Sequence, residues 1–157
     1  MAKGFDKIDQ EILTILQKEA DRPVASIAEA VGLTATPCWR RIRRMEESGL
    51  IERRIVVLDP VRANVGLTVF IGIKAPGHGI AWLEQFKAVV EEIEEIVEAY
   101  RLTGQTDYIL KVVAPDMATY DSIYKRMISL IDFRDVTSSI SMEELKLAHA
   151  LPTKYLK

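Results

Sequence analysis

Six arginines lie close together in the first half of this 157-residue chain: Arg40, Arg41, Arg43, Arg44, Arg53 and Arg54. A guanidinium group binds phosphate oxygens and the edge of guanine through paired hydrogen bonds. The whole chain is not basic, since 21 Lys and Arg are balanced by 23 Asp and Glu, which excludes a uniformly basic nucleic-acid binder. The cluster therefore indicates either a local anion-binding surface or an ordinary solvated helix face.

Apolar spacing predicts three helices that position this cluster, over residues 6–20, 24–31 and 35–48. Asp6, with Asp9 three residues later, can cap the first helix, and Thr34 can cap the third. The third helix has an inward stripe of Cys38, Ile42 and Met45, so most of its arginines lie on the opposite side. The β-branched run in residues 53–58 predicts a strand after it.

A short glycine turn joins the second and third helices, and the third helix begins with small residues and carries arginines outward. A protein that recognises bases in the major groove of DNA needs this arrangement, because the groove admits one helix whose amino-terminal end approaches the bases. We predict that it binds double-stranded DNA. Thr34, Thr36, Trp39 and Arg40 would face base edges, Arg43 and Arg44 phosphates, and Arg53 and Arg54 the neighbouring backbone.

The second half has the order strand, helix, strand, strand, helix, strand. The predicted strands cover residues 67–74, 97–103, 108–114 and 136–142, with helices over 82–93 and 117–131. This order is that of a ferredoxin-like βαββαβ sheet with both helices on one face. The other face needs a cover, and a second copy of the chain would supply it in a homodimer. The fold class is α+β: a helix-turn-helix domain resembling a winged helix (1–60), a linker (61–66) and a βαββαβ domain (67–157).

Other classes of protein find little support in the sequence. A single cysteine, Cys38, and two distant histidines, His78 and His149, provide neither a disulfide nor a four-ligand metal site. No catalytic motif or acid–base pair suggests an enzyme. No apolar run is long enough to span a membrane and the start of the chain does not read as a secretory signal, so we expect a cytoplasmic protein without a metal or cofactor.

One loop in the second half contains residues that could bind a ligand. It has the sequence LTGQTDY, from Leu102 to Tyr108, with a glycine after one predicted strand and an aspartate before the next. Glycine, threonine and aspartate are also ordinary turn residues. From these residues alone, turn chemistry is the favoured interpretation.

The segments IDQEILTILQKEA, IAEAVGLTATPCWRRIRRMEESGLI, TGQTDYILKVVAPDM and ISMEELK closely resemble the Lrp/AsnC family of transcriptional regulators. The resemblance covers nearly the whole chain in the same order. It implies an amino-terminal helix-turn-helix domain, a βαββαβ domain that dimerises, dimers that assemble into octamers, and a small amino acid bound between dimers. It also reverses the interpretation of the loop, which would line the effector pocket. The implied effector residues are Thr103, Gly104, Gln105, Thr106, Asp107 and Tyr108, together with Ser129 on the last helix.

The sequence therefore predicts a sequence-specific DNA-binding transcriptional regulator. Its expected effector is an amino acid or related metabolite at an interface of the carboxy-terminal domains. The alternative is a metabolite-binding sensor whose helical domain docks protein rather than DNA.

Overall fold

The computed structural model describes residues 4–77 and 79–156 and divides into two compact units. The first, which we call the helical unit, contains the residues up to Val57 and those from Leu145 onward, and the second, the sheet unit, contains Leu58–Glu144. His78, one of the two histidines named above, lies outside the described residues. In the described part of the chain, no helix is long and apolar enough to cross a membrane.

Three helices form the helical unit: α1 (Lys7–Leu16), α2 (Val24–Ala30) and α3 (Ala35–Glu47). The predicted helices are confirmed, although α1 ends four residues earlier than predicted. Gly32 and Gly49, which follow the ends of α2 and α3, have φ angles of +68° and +76°, the left-handed conformation in which glycine commonly ends a helix. The core of this unit includes the predicted inward stripe of α3. Its buried apolar residues are Ile12, Leu13, Leu16, Ile27, Ala28, Cys38, Ile42 and Met45.

The two predicted helix caps have different outcomes. Asp6 and Asp9 form a reciprocal capping box, each accepting the other's backbone N–H at 3.0 Å. Thr34 stands at the N-cap position of α3, but its side chain accepts no capping hydrogen bond. A cap of this kind accepts from the second or third helical amide, and the third residue of α3 is Pro37, which has no N–H. The prediction of a threonine cap was therefore wrong.

The predicted strand at residues 53–58 is also wrong. Residues 52–59 form neither helix nor strand, and Ile55, Val56 and Leu58 are each at least 60% exposed. β-Branched residues favour a strand only when a partner strand supplies hydrogen bonds and packing. No described strand of the chain pairs with this segment.

The carboxy-terminal tail belongs to the helical unit and not, as the predicted boundaries placed it, to the βαββαβ domain. The side chain of Gln17 bonds both the N–H and the carbonyl of Leu151, at 2.6 and 3.1 Å. A 3-10 turn at Thr153–Tyr155 follows, and Leu156 packs against the helical core. The sheet unit is thus inserted between two segments of the helical unit.

The sheet unit has the predicted βαββαβ order. Its elements are β1 (Leu67–Lys74), α4 (Ile80–Glu92), β2 (Ile96–Arg101), β3 (Tyr108–Ala114), α5 (Met117–Leu130) and β4 (Asp135–Ile140). The four strands are antiparallel in the order β2-β3-β1-β4, with a register shift between Ile96 and Glu98. Asp116 caps α5 by accepting the Thr119 N–H at 2.8 Å.

The core of the sheet unit lies between one face of the sheet and the two helices. Val69, Ile71 and Ile73 of β1 are fully buried on this face, together with Leu110 and Val112 of β3. The alternate residues of the strands, such as Phe70, lie on the opposite face, which we call the open face because no described helix covers it. This two-sided pattern is typical of an antiparallel sheet with helices on one side.

Candidate DNA-binding face and effector loop

Three predicted DNA-contact residues are exposed along α3. Trp39 is 51% exposed, and the Arg43 guanidinium carbon lies 5.8 Å from its ring centroid, in a cation–π arrangement. Arg43 also pairs with Glu47 at 3.3 Å, and both side chains are more than half exposed. The Arg40 side chain is exposed, and no described residue bonds to its guanidinium. Arg40 is therefore available to a ligand, and Arg43 can become available at little cost.

Arg44 has a different environment from Arg43, although the sequence predicted the same phosphate contact for both. Its Nη2 lies 2.5 Å from Oδ2 of Asp9, a fully buried carboxylate on α1. Arg41 donates to the other oxygen of Asp9 at 2.8 Å and to Asp6 at the same distance. The hydrogen bonds from the Asp9 amide and from Arg41 lower the pKa of Asp6. These bonds join the start of α1 to the middle of α3.

The two kinds of ion pair differ greatly in how easily they break. An exposed pair such as Arg43–Glu47 contributes about 0–1 kcal/mol, so a phosphate can replace Glu47. Removing the partners of a buried charge costs about 3–5 kcal/mol, because the charge that stays behind is unpaired. The side chain of Arg44 is 39% exposed, but its Nη2 is bound to the buried Asp9, so Arg44 is less free to contact a ligand than Arg40 or Arg43. The phosphate contact predicted for Arg44 stays a prediction.

Replacing Arg43 with glutamine is expected to weaken DNA binding uniformly across sequences. One lost phosphate contact should flatten the slope of log K against log salt concentration by about 0.9 for each DNA-bound unit. Fluorescence anisotropy of a labelled duplex between 50 and 300 mM salt would measure this slope. Glu47→Gln is the control, because it removes the partner of Arg43 and leaves the arginine in place. An unchanged slope for Arg43→Gln would remove Arg43 from the interface.

The segment after α3 carries the last two predicted contacts. Arg54 pairs with Glu46 of α3 at 3.0 Å, and its side chain is 51% exposed. Arg53 is exposed, and no described residue bonds to its side chain. Arg53, like Arg40, is thus available to a ligand. Arg54 is bound to Glu46 in an exposed ion pair, in which a phosphate could replace the glutamate.

Cys38 is fully buried in the core of the helical unit, as its place on the inward stripe predicted. Burial raises the pKa of its thiol, which keeps the reactive thiolate scarce at neutral pH. We expect a maleimide or disulfide reagent to modify Cys38 only as fast as the helical unit opens. Mass spectrometry of the folded and the urea-unfolded protein would compare the two rates. Rapid modification of the folded protein would instead indicate an accessible sensor thiol.

In the sheet unit, the candidate effector loop is anchored at its carboxyl end by Asp107. The Asp107 amide donates to the Ile73 carbonyl at 2.9 Å, its carbonyl accepts from Leu102, and Oδ2 accepts the Ala75 N–H at 2.9 Å. No described residue donates to the other carboxylate oxygen, Oδ1. One oxygen of Asp107 therefore holds the loop against the end of β1, and the other can accept a ligand.

The middle of the loop leaves its backbone donors free. In the described part of the chain, no protein acceptor receives the N–H groups of Thr103, Gly104, Gln105 and Thr106. Gly104 has a φ of +119°, a conformation that favours glycine, so this residue also has the turn role that its type predicted. Successive free amides in a turn form a concave site for an anion. The loop thus offers N–H donors beside a carboxylate oxygen.

Thr106 sits on the open face of the sheet because β1 has a glycine beneath it. A β-carbon at Gly72 would lie 3.4 Å from the Thr106 methyl group and 3.8 Å from both its hydroxyl oxygen and the Thr137 carbonyl. An alanine there would touch Thr106, and any larger side chain would push the loop away. Gly72 thus positions the loop, a role that the sequence analysis did not identify.

Two predicted effector residues lie away from this loop surface. Tyr108 is buried on the helix face of the sheet, with its ring 4.7 Å from Phe86 and 5.6 Å from Trp82, so in this chain it is a core residue. Ser129 is exposed on α5, which packs against that same face, and its hydroxyl donates to the Arg126 carbonyl. Ser129 and Thr106 are therefore on opposite sides of the sheet.

The sequence analysis missed the contacts of Asp9 with the arginines of α3, since it treated Asp9 only as part of a cap. Its position relative to Ile12, Leu13 and Leu16 places it on the buried stripe of α1. A carboxylate on a buried stripe needs charged partners, and α3 supplies arginines. This argument from spacing could have identified the pairing.

Two family matches together cover most of the chain. Residues 5–52 match a winged helix-turn-helix DNA-binding domain, and residues 68–151 match the Lrp/AsnC ligand-binding domain. The first match spans α1 to α3 and the second spans all four strands of the sheet. The helix-turn-helix match supports DNA as the partner of the helical unit.

Similar proteins of known role and structure agree with both matches. The chain is 41% identical to the glutamate uptake regulatory protein of Zymomonas mobilis, over 97% of this chain and 93% of that protein. It is 40% identical to the transcriptional activator DecR of Escherichia coli, over 94% and 98%. A crystal structure of an AsnC family regulator from Agrobacterium tumefaciens has a TM-score of 0.93 and 50% identity, covering 96% of this chain and 99% of that one. A Neisseria meningitidis regulator in complex with L-Met has a TM-score of 0.92 and 30% identity, covering 96% and 97%. This chain therefore belongs to the Lrp/AsnC family and is a DNA-binding transcriptional regulator with an α+β fold.

Proposed function

We propose that the regulator reads DNA with the exposed side of α3. Thr34, Thr36, Trp39 and Arg40 face base edges, while Arg43, Arg53 and Arg54 hold phosphates. The observation that carries this proposal is the unpaired, exposed guanidinium of Arg40 at the leading part of the helix. Arg44 is left out of the contact set because the buried Asp9 holds it.

Selection from a random-sequence duplex library tests this assignment. Wild-type protein should enrich a defined motif, and a dimer should enrich two half-sites separated by about 10–10.5 base pairs or a multiple of that distance. Protection mapping should then place α3 over the major groove of each half-site. Failure to enrich any motif at about 0.15 M salt would contradict the assignment.

We further propose that the loop from Thr103 to Asp107 binds a free α-amino acid. Its four unpaired amides match an α-carboxylate, and the free Oδ1 of Asp107 matches an α-ammonium group. The complex of a 30% identical relative with L-Met supports this ligand class. Ser129 could reach the ligand only from a second copy, because it lies on the other side of its own sheet.

Derivatives of one amino acid test the two halves of this site separately. Isothermal titration would first identify which standard amino acid binds. Its carboxamide, which lacks the carboxylate, and its N-acetyl form, which lacks the ammonium group, should then each bind at least about tenfold more weakly. Equal binding of the N-acetyl form would remove Asp107 from the site.

We propose that two copies pair through the open faces of their sheets. Phe70 is 38% exposed and Tyr100 is 55% exposed on this face, where Ile109 and Val113 add half-buried apolar surface. An apolar patch of this kind on an antiparallel sheet is unfavourable in water and indicates an interface.

Light scattering of the dilute protein tests the assembly directly. A homodimer predicts twice the 17.7 kDa chain mass, and an octamer of four dimers predicts eight times that mass. Phe70→Glu should shift the mass toward the monomer, because it buries a charge in each interface. A wild-type monomer would contradict the pairing.

A further inference from the structure

We infer that Asp9 limits the affinity of this regulator for DNA of any sequence, by holding Arg41 and Arg44 away from the phosphates. The recognition helix carries four arginines, and the buried carboxylate of Asp9 binds two of them. The inference rests on the proposed use of α3 to contact DNA. In it Asp9 is a positioning residue that acts through the arginines and touches no DNA.

Asp9 is the only acidic partner of Arg44 among the described residues. The Arg44 side chain passes over the Phe5 ring, with its guanidinium carbon 5.3 Å from the ring centroid. Its Nε is buried and has no hydrogen-bond partner in the part of the chain that the structure describes. A buried donor without a partner is unfavourable and offsets the favourable contact with the Phe5 ring, so we expect the charge of Asp9 to decide whether Arg44 keeps this position.

Asparagine at position 9 cannot replace the carboxylate. Both oxygens of Asp9 accept hydrogen bonds: Oδ1 from Arg41, and Oδ2 from Arg44 and from the backbone N–H of Asp6. An asparagine keeps one acceptor oxygen and turns its NH₂ group toward a donor. Asp9→Asn therefore removes the negative charge and also repels one of its partners, with almost no change in volume.

A released Arg44 would reach the DNA-contacting side of α3. Residues four apart on a helix lie on the same face, so Arg44 is a neighbour of the exposed Arg40. Arg41 is only 26% exposed while it is bound to Asp6 and Asp9, and it would gain freedom when Asp9 is neutral. Each arginine that binds a phosphate adds sequence-independent affinity, which is lost as the salt concentration rises.

The test compares Asp9→Asn with wild-type protein on a labelled random-sequence duplex, by fluorescence anisotropy between 50 and 300 mM salt. We expect the variant to bind about tenfold more tightly at 50 mM for each released arginine. We also expect its salt slope to steepen by about 0.9 for each released arginine in a DNA-bound unit. A merely structural role of Asp9 would weaken binding and would not steepen the slope.

Two matched variants isolate the released charge. Asp21→Asn makes the same charge change on the surface of the same unit, where no described residue bonds to the side chain, and should leave the slope unchanged. The triple variant D9N/R41Q/R44Q should return the slope and the affinity to the wild-type values. A folded Asp9→Asn that behaves like Asp21→Asn would overturn the inference.

Circular dichroism decides whether Asp9→Asn is folded at the assay temperature. If it is not, Arg44→Gln is measured instead, since it leaves the Asp9–Arg41 pair in place. If Asp9 holds Arg44 away from the DNA, Arg44→Gln should have the same salt slope as the wild-type protein. A slope flattened by about 0.9 in Arg44→Gln would overturn the inference. Absence of duplex binding by both the wild-type protein and Asp9→Asn at 50 mM salt would contradict the proposed contacts of α3 and the inference that rests on them.

Discussion

Replacing Arg40 with alanine is expected to weaken binding to a selected DNA site by about 1–3 kcal/mol, or roughly 5- to 150-fold. A bidentate arginine contact to guanine has this value, and no described residue pairs with the Arg40 guanidinium in the free protein. The variant therefore loses a base contact without breaking an internal bond. Affinity for a random duplex should fall much less, because random DNA has no guanine at a fixed position.

Arg40→Lys separates base reading from phosphate binding. Lysine keeps the charge but not the planar fork, so it should restore binding to random DNA and not to the selected site. Anisotropy with both duplexes at one salt concentration measures the ratio. Equal losses on the two duplexes for Arg40→Ala would assign Arg40 to a phosphate and leave the base contacts to Thr36 and Trp39.

The second large effect is expected at Asp107. Asp107→Asn should weaken effector binding by about 1.5–3 kcal/mol, since it replaces a charged partner of the α-ammonium group by a neutral one. The asparagine oxygen can still accept the Ala75 N–H, which Asp107 accepts at 2.9 Å, so the loop should keep its anchor. DNA affinity without effector should be unchanged, and the response of DNA binding to the effector should shift to higher effector concentration.

Asp107→Ala and Asp121→Asn complete this experiment. Alanine also removes the anchor to Ala75, so it should lower the melting temperature of the sheet unit where asparagine does not. Asp121 lies on the exposed side of α5 and pairs only with Lys125 among described residues, so Asp121→Asn controls for charge. A wild-type effector response in Asp107→Asn would place the pocket elsewhere.

The helices and the βαββαβ order could be predicted because their signals are local. Each helix has an apolar stripe at helical spacing, and the caps at Asp6 and Asp116 lie three residues from the amides they bond. β1 alternates buried and partly exposed residues over most of its length, as an antiparallel strand with one covered face should. Each of these patterns depends only on residues that are close together in the sequence, so it can be recognised without the structure.

The errors arise where a partner distant in sequence decides the structure. Residues 53–58 have strand composition but no partner strand among the described residues. Tyr108 was named as an effector residue, although its ring packs against Phe86 in the core. The tail was placed by sequence position, whereas the contact between Gln17 and Leu151 joins it to α1. Arg43 and Arg44 are adjacent in sequence, and only the pairing across helices distinguishes them.

The central claim is that α3 reads DNA sequence and that an amino acid at the sheet unit changes where it binds. Sequencing the genomic fragments that the purified protein retains at about 0.15 M salt, with and without each standard amino acid, tests both parts together. The account predicts a limited set of strongly enriched fragments whose retention changes with at least one amino acid. Even retention of all fragments, the same under every condition, would contradict it.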